Sequence, residues 1–239
     1  MRVESLPSRS TKVLNTTIFR PSLPSGGTFF STPIKGVVYI VDDDPGVREG
    51  VGELLDSHQI GNIPCESAAD FLRRVRTDTT SCVMLDVRLP DMNGLDLQRQ
   101  LGNETAPPII FFSGYADVPS TVRAMKAGAV EFLTKPVDPE RLLPAIWSAF
   151  AVDVERRQKS AELKEIQERF GPLSPREREV LPLIVGGMLN KQAAAHLGIT
   201  EVTLQVHRGQ IMRKTKADSF ADLVRMALRL GIPETEGAL

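Results

Sequence analysis

From residue 37 onward, short apolar runs alternate with segments of helical period. Runs at 37–41, 60–65, 82–86, 108–112 and 130–133 predict strands. Most are apolar at every position rather than every second one, as parallel strands covered on both faces are. The helices between them open on readable signals. Asp44-Pro45 joins a cap to Pro at the first helical position, and Ser67 followed by Asp70 has capping-box spacing. The Pro-rich stretch Thr105-Ala106-Pro107-Pro108 separates a helix from the fourth run. Five βα units of this kind predict a doubly wound α/β fold with a five-stranded parallel sheet. Ligands of such sheets sit outside the carboxyl ends of the strands.

The pattern then becomes wholly helical. Residues 138–170 predict one long helix or two end to end. Its apolar stripe, Leu142, Leu143, Ile146 and Phe150, gives way to a charged run from Glu155 to Glu168 that reads as a solvated linker. Val154, Ala161 and Leu163 supply only a weak coiled-coil seam. Phe170-Gly171-Pro172 interrupts the helix. Ser174-Pro175-Arg176-Glu177 is a strong new start, with Ser as cap, Pro next and Glu three residues after the cap. Asn190 opens a short second helix, 191–197, that ends at Gly198. Thr200 caps a third, from 201 to about 214, and Ser219 with Asp222 starts a fourth. A short helix, a Gly-containing turn and a cationic helix form a helix-turn-helix pattern. Pro182 inside the first of these helices predicts a kink.

The domain plan predicted from these patterns is a disordered extension at 1–35, an α/β domain at 36–152, a helical linker at 153–172 and a small all-α domain at 173–239. The extension is rich in Ser, Thr, Pro and Gly and lacks the apolar core of a signal peptide. With 239 residues, 41% hydrophobic and 25% charged, the chain is ordinary globular material with room for two domains. No apolar run approaches the ~20 residues of a membrane-spanning helix. Cys65 and Cys82 form no CxxC pair and predict small buried residues in a reducing cytosol. The formal net charge of −1 hides an asymmetry: 15 basic and 22 acidic side chains at 36–169, against nine and seven at 170–239. An acidic front and a mildly basic rear suggest a division of labour.

The chemistry concentrates where the strands end. Val38-Tyr39-Ile40-Val41 runs straight into Asp42-Asp43-Asp44-Pro45, and Asp86 ends another apolar run 44 residues after Asp42. If these two strands are adjacent and parallel, three carboxylates meet at one sheet edge. Like charges so close call for a cation, and a hard divalent ion with oxygen ligands, Mg²⁺, suits them. Asp44 reads as the helix cap rather than a ligand. Taken singly, the other elements are ordinary: Ser113-Gly114 is a turn, Lys135-Pro136 a surface dipeptide, and Phe132 a core residue. Their order and spacing together carry the inference.

Residues 36–152 resemble a bacterial response-regulator receiver domain. The resemblance rests on Asp42-Asp43, Asp86, the loop Arg88-Leu89-Pro90-Asp91-Met92-Asn93-Gly94, Ser113, Phe132 and Lys135-Pro136. It implies that Asp86 accepts a phosphoryl group from a histidine kinase. It further implies that Asp42, Asp43, Asp86 and the backbone carbonyl of Arg88 hold Mg²⁺, with Lys135 as a catalytic cation. In the family, the hydroxyl at Ser113 and the aromatic at Phe132 form the switch, and the Lys-Pro bond is often cis.

Residues 173–227 are similar to the LuxR/FixJ-type DNA-binding domain. Leu173-Ser174-Pro175-Arg176-Glu177 matches its opening motif, Asn190-Lys191-Gln192-Ala193-Ala194 its supporting helix, and Val206-His207-Arg208-Gly209 its recognition helix. Leu204, Ile211 and Thr215 share one face and are expected inside. Gln205, Val206, Arg208 and Gly209 are placed toward the major groove. Lys191, Thr203, Arg208, Arg213 and Lys214 are the candidates for phosphate contacts. The family usually carries Lys at the position of Gln205 and Val at that of Leu204, which puts affinity in doubt. The combined expectation is a cytoplasmic, non-enzymatic, phosphorylation-switched transcription regulator, homodimeric when phosphorylated, with a sensor kinase and promoter DNA as partners. The alternative is a phosphotransfer or interaction module with weakened or lost DNA binding. A phosphatase of the haloacid dehalogenase type needs Asp-x-Asp after its first strand, and adjacent Asp42-Asp43 argues against it.

Overall fold

A computed structural model describes residues 35–76, 78–102, 106–114 and 117–232. The extension read at 1–35 falls, except for Lys35, outside these residues, as does Thr105 of the Pro-rich separator. The chain divides into two units, Met1–Val154 and Glu155–Leu239.

In the first unit, β1 (Val37–Val41), β2 (Gly61–Cys65), β3 (Ser81–Leu85), β4 (Ile109–Ser113) and β5 (Glu131–Thr134) form one parallel sheet in the order β2-β1-β3-β4-β5. Between them run α1 (Pro45–Ser57), α2 (Ala68–Arg74), α3 (Gly94–Leu101) and α4 (Val118–Lys126), and α5 (Pro139–Phe170) follows. Alternate residues of each strand point to opposite faces. Val38, Ile40, Met84, Ile110, Phe112 and Leu133 pack with Val51 and Leu55 of α1 and with Leu142, Ile146 and Phe150 of α5. Tyr39, Val41, Val83, Leu85, Phe111 and Phe132 pack on the other face with Phe71 of α2, Leu97 of α3 and Ala124 of α4. Both faces are covered, which is why the strands read as continuous apolar runs. Each such side chain, fully buried, contributes about 1.5–3 kcal/mol. β2 holds Pro64, tolerable because β2 is an edge strand and loses no ladder partner on its outer side.

Strand register sets the site. Val41 of β1 lies opposite Leu85 of β3, and the Asp86 amide donates to the Val41 carbonyl at 2.9 Å. Asp42 and Asp86 therefore leave neighbouring strands at the same level. Asp44 caps α1, its carboxylate accepting from the Gly46 amide at 2.8 Å, as its position before Pro45 predicts.

The second unit contains the end of α5, then α6 (Pro175–Val185), α7 (Asn190–Leu197), α8 (Glu201–Thr215) and α9 (Phe220–Arg229). Val180, Leu181, Ile184, Ala193, Leu204, Ile211, Leu223 and Ala227 form its core with Ile166 and Phe170. The predicted capping box is present: Ser174 accepts from the Glu177 amide, and the Glu177 carboxylate accepts from the Ser174 amide at 2.7 Å. α6 runs through Pro182 to Val185, and the Gly186 amide donates to the Pro182 carbonyl at 3.0 Å. α7 begins one residue earlier than predicted. Leu189 stands at its cap position without a side-chain acceptor, while its amide donates to Gln192 at 3.2 Å.

Candidate functional site

At the carboxyl end of the first unit's sheet, carboxylate oxygens of Asp42, Asp43 and Asp86 lie within 4.8 Å of one another. Asp42 is 1% and Asp86 7% exposed, while Asp43 faces solvent. Lys135, just beyond β5, brings its ammonium to 2.5 Å from Asp42 Oδ2 and 2.7 Å from Asp86 Oδ2. The same nitrogen lies 5.2 Å from the centre of the Phe112 ring. Burial pushes the Asp42 carboxyl up, and this outweighs the opposing hydrogen bonds from Lys135 and from the Asp44 amide. For Lys135, burial works against the charge, but the hydrogen bonds it donates to Asp42 and Asp86 outweigh it and hold its pKa above the ordinary lysine value. An all-oxygen donor set with one exposed and two buried carboxylates fits a hard divalent ion.

The loop after Asp86 is tightly held. The Arg88 amide donates to Asp86 Oδ1 at 3.1 Å, and the Gly94 amide to the Val87 carbonyl at 2.8 Å. A Cβ at Gly94 would stand 2.3 Å from the Asp86 carbonyl oxygen, so only glycine fits. Asp91 reaches across to the start of α2, accepting from the amides of Ala68 at 3.2 Å and Ala69 at 2.9 Å. Arg48 of α1 donates to the Asp42 carbonyl at 2.7 Å. Sequence reasoning passed over Arg48 and gave Asp91 no role beyond its place in the loop, because a hydrogen bond to a remote backbone leaves no spacing signal.

Ser113 ends β4, 1% exposed, opposite Thr134 of β5. Its carbonyl accepts from the Lys135 amide at 3.0 Å, and the Lys135-Pro136 bond is cis. Phe132 is 8% exposed, its ring stacked on Phe111 with 5.9 Å between centroids. The aromatic expected to take part in the switch is thus packed inward. Both cysteines are buried, and burial pushes the Cys65 thiol up to about 11 and Cys82 higher still.

In the second unit, α7 and α8 form the helix pair. Leu204, Ile211 and Thr215 are each 0% exposed, as their shared face predicts. Lys191, Thr203, Gln205, Val206, Gly209 and Arg213 are exposed, and Val206 reaches 57%. Nothing stands within 4 Å of a Cβ at Gly209, so the fold itself does not demand glycine there. Arg213 donates to Gln210 at 2.6 Å. Lys214, read as a candidate phosphate contact, donates from its ammonium to Glu177 Oε2 at 2.6 Å, and that carboxylate is nearly buried. Arg208, expected at the groove, is half-buried on α8, and the sequence did not show what holds it: Asn190 of α7, at 2.6 Å, and the Phe220 ring of α9.

A carboxylate cluster at the end of a doubly wound sheet, followed by a helix-turn-helix unit, defines a signal-responsive regulator that binds DNA. Residues 38–147 match the response regulator receiver domain, and residues 171–227 match the bacterial regulatory proteins of the luxR family. The chain is 43% identical over 199 residues to nodulation protein W of Bradyrhizobium diazoefficiens, covering 83% of this chain and 88% of that protein. It is 45% identical over 197 residues to the response regulator protein TodT of Pseudomonas putida, covering 81% and 86%. Among solved structures, the response regulator StyR superposes with a TM-score of 0.68 at 42% identity, over 82% of this chain and 99% of that one. The chain belongs to the response regulators that join a receiver domain to a LuxR-type DNA-binding domain, and it is a transcriptional regulator of that family. Among the described residues, no helix is long and apolar enough to cross a membrane.

Proposed function

We propose that Asp86 is the phosphoryl acceptor of this regulator and that its phosphorylation controls promoter binding. The observation that carries this reading is the meeting of Asp42, Asp43, Asp86 and Lys135 at one sheet edge. An Asp86 carboxylate oxygen attacks the phosphorus of a kinase phosphohistidine. The P–N bond breaks, its electron pair leaves with the imidazole, and an acyl phosphate forms on Asp86. Lys135, already against Asp86, supplies positive charge to an incoming phosphoryl oxygen, and Ser113 donates a hydrogen bond to another. Asp42, Asp43, Asp86 and the Arg88 carbonyl would hold Mg²⁺, which neutralises charge between carboxylate and phosphoryl group when bound. Drawing Ser113 inward repacks the β4–β5 edge around Phe132.

The domain division follows from this reading: a receiver at 36–152, a linker at 153–172 and a DNA-binding domain at 173–239, in a cytoplasmic protein that dimerises when phosphorylated. Lys191, Thr203, Arg208 and Arg213 are assigned to phosphates and Gln205 and Val206 to base edges, with Gly209 permitting close approach. Gln205 lowers the cationic count of α8 without removing the groove-facing helix.

Incubation with acetyl phosphate and Mg²⁺ is expected to add one phosphoryl group by intact mass and to shift the protein toward dimer on size exclusion. Asp86→Asn abolishes both. Full incorporation in Asp86→Asn would reject the assignment.

A further inference from the structure

We infer that Arg208 is a preset phosphate-binding group, and that Asn190 and Phe220 are positioning residues that hold it ready for duplex DNA. The inference rests on the DNA-binding reading above and adds the means by which one contact is prepared.

Three helices converge on this guanidinium. Arg208 Nη1, from α8, donates to Asn190 Oδ1 of α7 at 2.6 Å. The guanidinium carbon lies 4.7 Å from the centre of the Phe220 ring of α9. Phe220 is 38% exposed, so its ring is only partly taken up by the core. Neither partner is an acid, so the charge of Arg208 is oriented but not neutralised. Four other cations of this unit are used differently. Lys214 pairs with Glu177, Arg225 with Asp222, and Arg229 with Glu162. Arg178 spends its donors on the carbonyls of Phe170, Gly171 and Leu173. Among the described residues, Arg208 makes no ion pair.

Asn190 takes one N–H of the guanidinium, and a ring face takes none, so further donors of the fork are left for a planar or tetrahedral anion. A long side chain normally loses rotamer freedom when it grips DNA. Here that loss is already incurred in the free protein, which lowers the cost of binding. The positions of Val206 and Gln205 on the same helix put this anchor beside the base-reading residues, where a fixed phosphate contact sets register.

The test uses the full chain, incubated with acetyl phosphate, and a short fluorescent duplex of mixed sequence, followed by anisotropy at a series of salt concentrations. Arg208→Ala is expected to reduce the slope of log affinity against log salt by about 0.9, the loss of one phosphate contact. Asn190→Ala and Phe220→Leu leave every charge in place. They are expected to keep the slope and weaken binding roughly three- to tenfold, the worth of one immobilised side chain. Arg208→Lys, which cannot form the fork, behaves like these two. Thermal melting of each variant separates positioning from folding. Affinity unchanged in Asn190→Ala and Phe220→Leu, or an unchanged slope in Arg208→Ala, would make Arg208 a brace between helices and overturn the inference. If the unsubstituted chain shows no salt-dependent duplex binding, the DNA-binding reading fails and this inference with it.

Discussion

At the front site a single ammonium holds two carboxylates together: Lys135 lies 2.5 Å from Asp42 and 2.7 Å from Asp86. Removing one partner of such a group leaves buried charge unbalanced, typically at a cost of about 3 kcal/mol or more. Lys135→Met is therefore expected to melt lower than the unsubstituted chain and to gain more from added Mg²⁺, since the ion then supplies the missing charge alone. Equal Mg²⁺ shifts in the two proteins, read by calorimetry, would count against this. Lys135 has a raised folded pKa, so its contribution is fully present below the ordinary lysine value and disappears as pH rises through the folded one. Glu177 in the rear unit behaves oppositely. Burial pushes it up, but the Lys214 ammonium and the Ser174 amide outweigh burial and hold it below the ordinary glutamate value. Its stabilisation is present above that ordinary value and is lost as pH falls through the depressed one. Glu177→Gln should flatten the acid limb of a pH–stability curve for the rear unit. Asp42, Asp86 and Lys135 were legible in the sequence as motif members. The Glu177–Lys214 pair was not, because 37 residues separate the partners and each already had a plausible local role.

Elements were legible to within a residue or so at most ends, because caps and apolar runs are local. Ser174, Thr200 and Ser219 cap as predicted, each accepting from the amide three residues on. Ser174→Ala is expected to cost about 1 kcal/mol, measured by denaturant unfolding. α6 continues through Pro182, where the sequence predicts a kink, and Val180, Leu181, Leu183 and Ile184 around it are buried in the core. The loop from β3 to α3 has a different logic. Gly94 is required by the approach of the Asp86 backbone, a constraint that periodicity cannot reveal. Gly94→Ala should displace the loop carrying Arg88 and sharply reduce phosphoryl incorporation by intact mass. Incorporation at the unsubstituted level would show that the loop relaxes without consequence for Asp86.

For the whole molecule, two sets of buried residues matter: two layers around one sheet in the first unit, and one helical cluster in the second. Each unit has its own core, so thermal unfolding is expected to show two transitions. Mg²⁺ should raise only the one that Asp42→Ala also perturbs, by an amount that grows with the logarithm of ion concentration. A single transition shifted as a whole would indicate that the units unfold together. The sequence by itself determined the alternation of strands and helices, the helix caps and the carboxylates at the strand ends, since these depend on local periodicity and on side-chain type. Only the tertiary structure decided that Asp42 and Asp86 stand side by side through the Val41–Leu85 register. The same is true of the Asp91 tie to the start of α2, the pairing of Lys214 with Glu177, and the clasp of Arg208 by Asn190 and Phe220. Those contacts join residues far apart in the chain, and a hydrogen bond between distant partners is specified by packing geometry rather than by spacing.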